Sequence, residues 1–235
     1  NADCFYRLPR LPGPGETLAA SAFSTGLGGK GANQSVAAAR AGAQVSHIGA
    51  VGPDGQWAIE RLRALGVGTG HIRLTETPTA HAIVMIDAAG ENQIVIYPGA
   101  NHAQDSEAIK SALSAAAPGD WLMLQNETSH QAEAAALARS RSLNVAYSAA
   151  PFDGEAVEAV LPHVTLLILN EVEAAQLSDA RGRPFADLPV PRLLVTRGAE
   201  GADWIDRETG ETVSVPAMAV TPVDTTGAGD CFAGY

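Results

Sequence analysis

Short apolar runs, often β-branched, alternate along the chain with Ala-rich stretches whose apolar positions recur at helical spacing. Residues 45–51 (VSHIGAV), 121–125, 143–147, 165–169 and 192–196 read as strands. Residues 32–41 (ANQSVAAARA), 56–65 (QWAIERLRAL), 131–141 and about 154–161 read as helices. Gly42 and Gly66 stand just past two of them, where a left-handed C-cap is expected. Strand–helix alternation of this kind predicts an α/β fold: a mostly parallel central sheet with helices on both faces.

Two segments break the rhythm. Residues 16–25 (ETLAASAFST) are small and alternating, unlike a fully buried strand. Residues 80–97 (AHAIVMIDAAGENQIVIY) read as two strands around AAGEN, a hairpin. With residues 4–8 they predict a small antiparallel sheet projecting from the main domain, built from about 4–25 and 80–100, within one domain spanning 1–235. Residues 174–192 are short for a full helical crossover, so an abbreviated helix is expected there or residues are missing.

The stretch STGLGGKGANQS, residues 24–35, crowds glycines around Lys30. It is no P-loop: with Gly29-Lys30 as the G-K pair, Ser24 replaces the first glycine and Gly31 the magnesium-binding hydroxyl. The dinucleotide pattern G-x-G-x-x-G does match through Gly26, Gly28 and Gly31, and Asp54 follows at a suitable distance. That pattern should follow a buried parallel strand, however, and LAASAFST is not one. A nicotinamide oxidoreductase is therefore the alternative from a different class.

Composition narrows the partners. A net charge of −11 argues against nucleic acid and anionic membranes. No apolar run approaches membrane-spanning length, and no signal peptide is visible. The two cysteines, Cys4 and Cys231, form no C-x-x-C or Cys/His cluster, which suits free thiols in a reducing cytoplasm. The chain opens without methionine and stops within a helix start, so further residues are expected at both ends of the native protein.

A second glycine loop decides between the readings. In VDTTGAGDCFAGY, residues 223–235, Gly227, Ala228 and Gly229 lead into Asp230 and an apolar helix start. Amides at a helix N-terminus favour an anion. A carboxylate beside them would repel phosphate, but it suits a base acting on a hydroxyl that attacks phosphate. A plain N-cap role for Asp230 remains open from the residue alone. GGKGANQSVAAARAG (28–42), GAVGPDG (49–55), PGAN (98–101), NEVE (170–173), TRGAEG (196–201) and DTTGAGD (224–230), with NAD and PGET near the start, together resemble the ribokinase family, the PfkB-type carbohydrate kinases.

The resemblance implies a ribokinase-like three-layer α/β/α domain with a small β-sheet lid. It implies transfer of phosphate from ATP to the terminal hydroxymethyl of a pentose, D-ribose before deoxyribose, another furanose or a nucleoside. By resemblance Asn1, Asp3, Gly28, Gly29, Asn33 and Glu127 bind the sugar, with the glycines letting it approach the backbone. Asp230 becomes the general base, and the amides of Gly227, Ala228, Gly229 and Asp230 cradle the transferring phosphoryl group. Asn170 and Glu173 organise Mg²⁺ through water, although the same pair could form a helix capping box. Thr196, Gly198 and Gly201 lie on the nucleotide side, and Asp224 and Thr226 at a K⁺ site. The lid sheet is expected to pair two subunits into a homodimer, with Phe5, Ile83, Val84 and Ile96 available for that contact.

Overall fold

Among the described residues, the strands of the six-stranded sheet all come from residues 121–215. In the computed structural model, which describes residues 1–221 and 225–235, the chain divides into two compact units. One comprises Asn1–Gln104 with Gly234–Tyr235, the other Asp105–Ala233.

The first unit runs β1 (Ala2–Arg7), β2 (Ala22–Leu27), α1 (Lys30–Arg40), β3 (Ser46–Val51), α2 (Gln56–Ala64), β4 (Gly68–Leu74), β5 (His81–Ile86) and β6 (Asn92–Tyr97). Its four-stranded sheet has the order β2-β1-β5-β6. This is the small sheet expected from 4–25 and 80–100, with one correction. β1 pairs antiparallel with β2, and β5 with β6, but β1 and β5 are parallel. Strand β3, expected in the main sheet, instead pairs in parallel with β4 as a separate two-stranded ribbon. β4 escaped the sequence reading because GTGHIRL mixes glycine and charge with few apolar residues. Ala32 of α1, Leu62 of α2 and Val67 form a buried cluster, joined by Val36, Val45 and Ile72. Removing this apolar surface from water is what holds the helices to the ribbon.

Edge strand β6 exposes all six of its residues, Ile94, Val95 and Ile96 among them. Of the four residues expected at a subunit contact, Ile96 is exposed, Phe5 and Ile83 are half-buried, and Val84 is in the core.

The second unit runs α3 (Ser106–Ser114), β7 (Trp121–Gln125), α4 (Gln131–Ser140), β8 (Asn144–Ser148), α5 (Gly154–Val160), β9 (Leu166–Asn170), α6 (Glu171–Arg181), β10 (Arg192–Thr196), β11 (Ala202–Asp206), β12 (Glu211–Val215) and α7 (Ala228–Gly234). The sheet order is β12-β11-β10-β9-β8-β7. β7 to β10 are parallel, and β11 and β12 extend the edge antiparallel. Val145, Tyr147, Leu167, Leu169 and Leu193 are almost wholly buried, as parallel strands covered by crossover helices require. The crossover between β9 and β10 carries the 11-residue α6, ended by Gly182 at φ 65°. Asp105 caps α3 and Asp153 caps α5, each accepting from backbone N–H groups of the first turn, a contribution of about 1 kcal/mol apiece.

Candidate active site

The glycine loop and the chain's first three residues meet at one end of the β1–β2 ladder. Gly28 N–H donates to Asn1 O at 3.0 Å, and the Asn1 nitrogen donates to Gly28 O at 2.9 Å. The Asp3 carboxylate lies over Gly28: a Cβ there would sit 2.0 Å from Asp3 Oδ2. Gly29, at φ 91°, leaves room for Asn1, whose Cγ would be 3.0 Å from an added Cβ. The two glycines therefore admit the side chains of Asp3 and Asn1. Asn33, in the first turn of α1, donates its N–H to Gly29 O at 3.0 Å and is half-buried. The side chains of Asn1 and Asp3 thus lie against Gly28 and Gly29 at the start of α1, with Asn33 in its first turn.

Burial raises the pKa of Asp3 above its ordinary value. As pH falls, Asp3 therefore takes up its proton earlier than a solvated aspartate does. If it binds sugar hydroxyls as an ionised acceptor, sugar KM rises as pH drops toward this elevated pKa. The acid limb of a KM–pH profile should flatten in Asp3→Asn.

The structure also shows what two further motif blocks do. Asp54 Oδ1 accepts from Thr79 N–H at 3.0 Å and from Thr79 Oγ1 at 2.8 Å. Gly52 N–H donates to Thr79 Oγ1 at 3.0 Å. Asp54 is thereby committed to the strap at residues 78–80, and these hydrogen bonds hold it below its ordinary pKa. The strap supports both ends of the cluster. Ala2 N–H donates to Ala80 O at 2.8 Å, and Ala100 N–H to Pro78 O at 2.9 Å. Next along the chain, Asn101 Nδ2 donates to Asn1 Oδ1 at 2.8 Å. Neither Asn101 nor Thr79 carried a role in the sequence reading. The quoted blocks PGAN and GAVGPDG were the available signal, but which residue each block grips is a long-range fact.

In the second unit the candidate residues lie at or just past the carboxyl ends of neighbouring parallel strands, where ligands of open α/β sheets bind. Glu127 stands just past β7. Its turn is pinned through Asn126, whose N–H donates to Ala150 O at 3.0 Å and whose Nδ2 donates to Pro151 O at 3.0 Å. The hydroxyl of buried Tyr147, raised in pKa by that burial, donates to Asn126 Oδ1. At the end of β9, Asn170 forms a complete capping box with Glu173 of α6. Asn170 N–H donates to Glu173 Oε2 at 2.9 Å, and Glu173 N–H to Asn170 Oδ1 at 2.8 Å. Thr196, the last residue of β10, leads into a tight turn in which Arg197 N–H donates to Gly201 O at 2.8 Å. Gly201 has φ 113°, and a Cβ there would meet Val215 O at 2.0 Å, so only glycine fits.

Helix α7 begins at Ala228, after Gly227 at φ 70°. Ala228 N–H donates to Thr225 O at 3.1 Å. That amide of the expected cradle is thus engaged in its own turn. Asp230 lies in the first turn of α7 and is half-buried. Thr226 is exposed, and Asp224 lies outside the described residues. Among the described residues, no group of three or more His, Cys, Asp or Glu side chains is placed to hold a metal ion. No helix among them is long and apolar enough to cross a membrane.

Residues 1–234 match the pfkB family carbohydrate kinases. The chain belongs to this family. It is 36% identical to the ribokinase of Bacillus subtilis over 231 residues, 95% of this chain and 77% of that one. It is 32% identical to the deoxyribokinase of Salmonella typhi over 240 residues, 96% of this chain and 78% of that one. The fold is ribokinase-like: it superposes on Arabidopsis thaliana ribokinase, whose structure was solved with ribose and ATP, with a TM-score of 0.81 at 28% identity, covering 100% of this chain and 81% of the other.

For a PfkB carbohydrate kinase the dinucleotide reading of Gly26-Gly28-Gly31 falls away, and the geometry gives the reason. The loop follows β2, an antiparallel edge strand of the small sheet, rather than a buried parallel strand. The acid in the expected ribose-binding place, Asp54, is held by Thr79.

Proposed function

We propose that this kinase transfers the γ-phosphoryl group of ATP to the terminal hydroxymethyl of a pentose, D-ribose in the first place, giving ribose 5-phosphate. The observation that carries the sugar assignment is the cluster at the β1–β2 end. The Asn1 amide and the Asp3 carboxylate lie there against Gly29 and Gly28, with Asn33 following in the first turn of α1, a set suited to hydroxyls. Glu127, on its pinned turn, supplies a further acceptor. Asp230 takes the proton from the attacking hydroxyl, and the amides of Gly227, Gly229 and Asp230 stabilise charge on the transferring group. Ala228 contributes through the turn rather than through its own N–H.

Thr196, Gly198 and Gly201 let backbone approach the nucleotide. Carboxylate and amide oxygens are the donors a hard cation takes, so Asn170 and Glu173 suit Mg²⁺ held through water, and their mutual capping box fixes both rotamers. When bound, Mg²⁺ neutralises phosphate charge. K⁺ beside Thr226 and Asp224 is the corresponding reading for a monovalent activator. The open edge of β6, with Ile94, Val95 and Ile96 exposed, suits pairing with a second copy in a homodimer. The expected setting is the cytoplasm.

The likeness to a deoxyribokinase supports one second reading, deoxyribose as the acceptor. ADP release measured over ribose, deoxyribose, fructose and adenosine, with and without K⁺, separates them. Ribose should show the highest kcat/KM, with stimulation by K⁺. A higher value for deoxyribose or adenosine overturns the ribose assignment, and turnover indifferent to K⁺ removes the cation site.

A further inference from the structure

We infer that Asn101 is a positioning residue for sugar binding: its side chain orients that of Asn1 by donating to the Asn1 carbonyl oxygen. This rests on the reading of Asn1 as a sugar ligand. An asparagine amide is ambiguous as a recognition group, because a half-turn exchanges its acceptor and its donors. In this fold the choice is made by a neighbour 100 positions away. Asn101 Nδ2 donates to Asn1 Oδ1 at 2.8 Å, so the acceptor edge of Asn1 is held toward Asn101 and its NH₂ edge is directed elsewhere. Asn1 then meets the sugar as a donor, toward a ring or hydroxyl oxygen.

The placement of Asn101 is rigid for reasons independent of that bond. Asn101 N–H donates to Pro98 O at 3.0 Å within a tight turn whose preceding residue, Ala100, is fully buried. Gly99, at φ 44°, is seated so closely that a Cβ would lie 2.4 Å from Pro78 O. The Asn101 turn and the strand carrying Asn1 both hydrogen-bond to the strap at 78–80, through Ala100 to Pro78 O and Ala2 to Ala80 O. Asp54 grips that strap through Thr79. Asn1 is flanked on its other side by Gly29, where an added Cβ would lie 3.0 Å from Asn1 Cγ. The blocks PGAN and GAVGPDG are thus linked to Asn1 through the strap and Asn101.

The test is steady-state kinetics with ribose and ATP on four variants. Asn1→Ala measures the ligand itself. Asn101→Asp keeps size and shape but loses the donor, and its carboxylate accepts from the Asn1 NH₂ and turns the amide over. Asn101→Ala removes the contact, and Asn1→Ala/Asn101→Ala measures the coupling. Asn1→Ala and both Asn101 variants should raise the KM for ribose roughly tenfold, the scale of one lost directed hydrogen bond. The KM for ATP should stay put, and the double variant should be no worse than Asn1→Ala alone. If Asn1→Ala raises ribose KM and the Asn101 variants do not, the orienting role is overturned while the sugar site stands. An additive double variant, or ATP KM and melting temperature moving in step with ribose KM, also overturns it, in favour of a general structural role. If Asn1→Ala leaves ribose KM unchanged, the assignment of Asn1 to the sugar fails, and the orienting role falls with it.

Discussion

Asp230→Asn lowers kcat by about 10²–10⁴-fold, the usual worth of positioned acid–base help, and leaves the KM for the sugar nearly unchanged. The substitution keeps the size of the side chain and removes only its ability to accept a proton. In a phosphoryl transfer that rests on positioning and electrostatics, the base assists the attacking hydroxyl and contributes little to holding the sugar. The competing role is local. An acid in the first turn of α7 interacts favourably with the helix dipole, typically by 0.3–1 kcal/mol, and the neutral amide loses part of that. The two roles separate cleanly, since losing the dipole interaction shifts the melting temperature a little and leaves kcat near wild type. Near-normal turnover with a slightly lowered melting temperature would remove the base assignment and leave Asp230 as a helix-start residue.

Gly28→Ala should be the most damaging single methyl group in the sugar site. The new Cβ would stand 2.0 Å from Asp3 Oδ2, 2.2 Å from its Cγ and 2.5 Å from Oδ1, so the Asp3 carboxyl has to leave its place. Displacing a positioned group by about 1 Å is enough to cost on the order of 10²-fold. A rise of that size in sugar KM is the expected result, together with a lower melting temperature. Gly70→Ala serves as the comparison: nothing lies within 4 Å of its added methyl, and its kinetics should match wild type. Adding Asp3→Ala to Gly28→Ala relieves the crowding. The double variant should therefore regain thermal stability but not sugar affinity. Unchanged ribose KM in Gly28→Ala would mean that Asp3 is not a sugar ligand.

Local pattern located the four parallel strands of the second unit well, because each is a short run centred on apolar residues. β7 and β10 match the expected residues, and β8 and β9 are displaced by one. Helix α3 was missed: SEAIKSALS is short, with Ile109, Ala112 and Leu113 as its buried residues, too few positions to establish a period. β3 was recognised as a strand but assigned to the wrong sheet. Strand character is local, whereas the choice of partner depends on residues far along the chain. The same division runs through the site. Asn170 and Glu173 are three positions apart, so their capping box was readable as a local possibility, and it formed.

By itself the sequence determined the fold class and the family, since each rests on residue types at short fixed spacings. Tertiary structure decided what the motif residues touch. Gly28 and Gly29 are glycines because Asp3 and Asn1 occupy the space above them, Asp54 serves a strap rather than a ribose, and Asn101 reaches Asn1 from the far end of its unit. The physical reason is one of range. Backbone conformation and capping depend on a few neighbouring residues, whereas close packing and directed hydrogen bonds join atoms that only the folded chain brings within 3 Å.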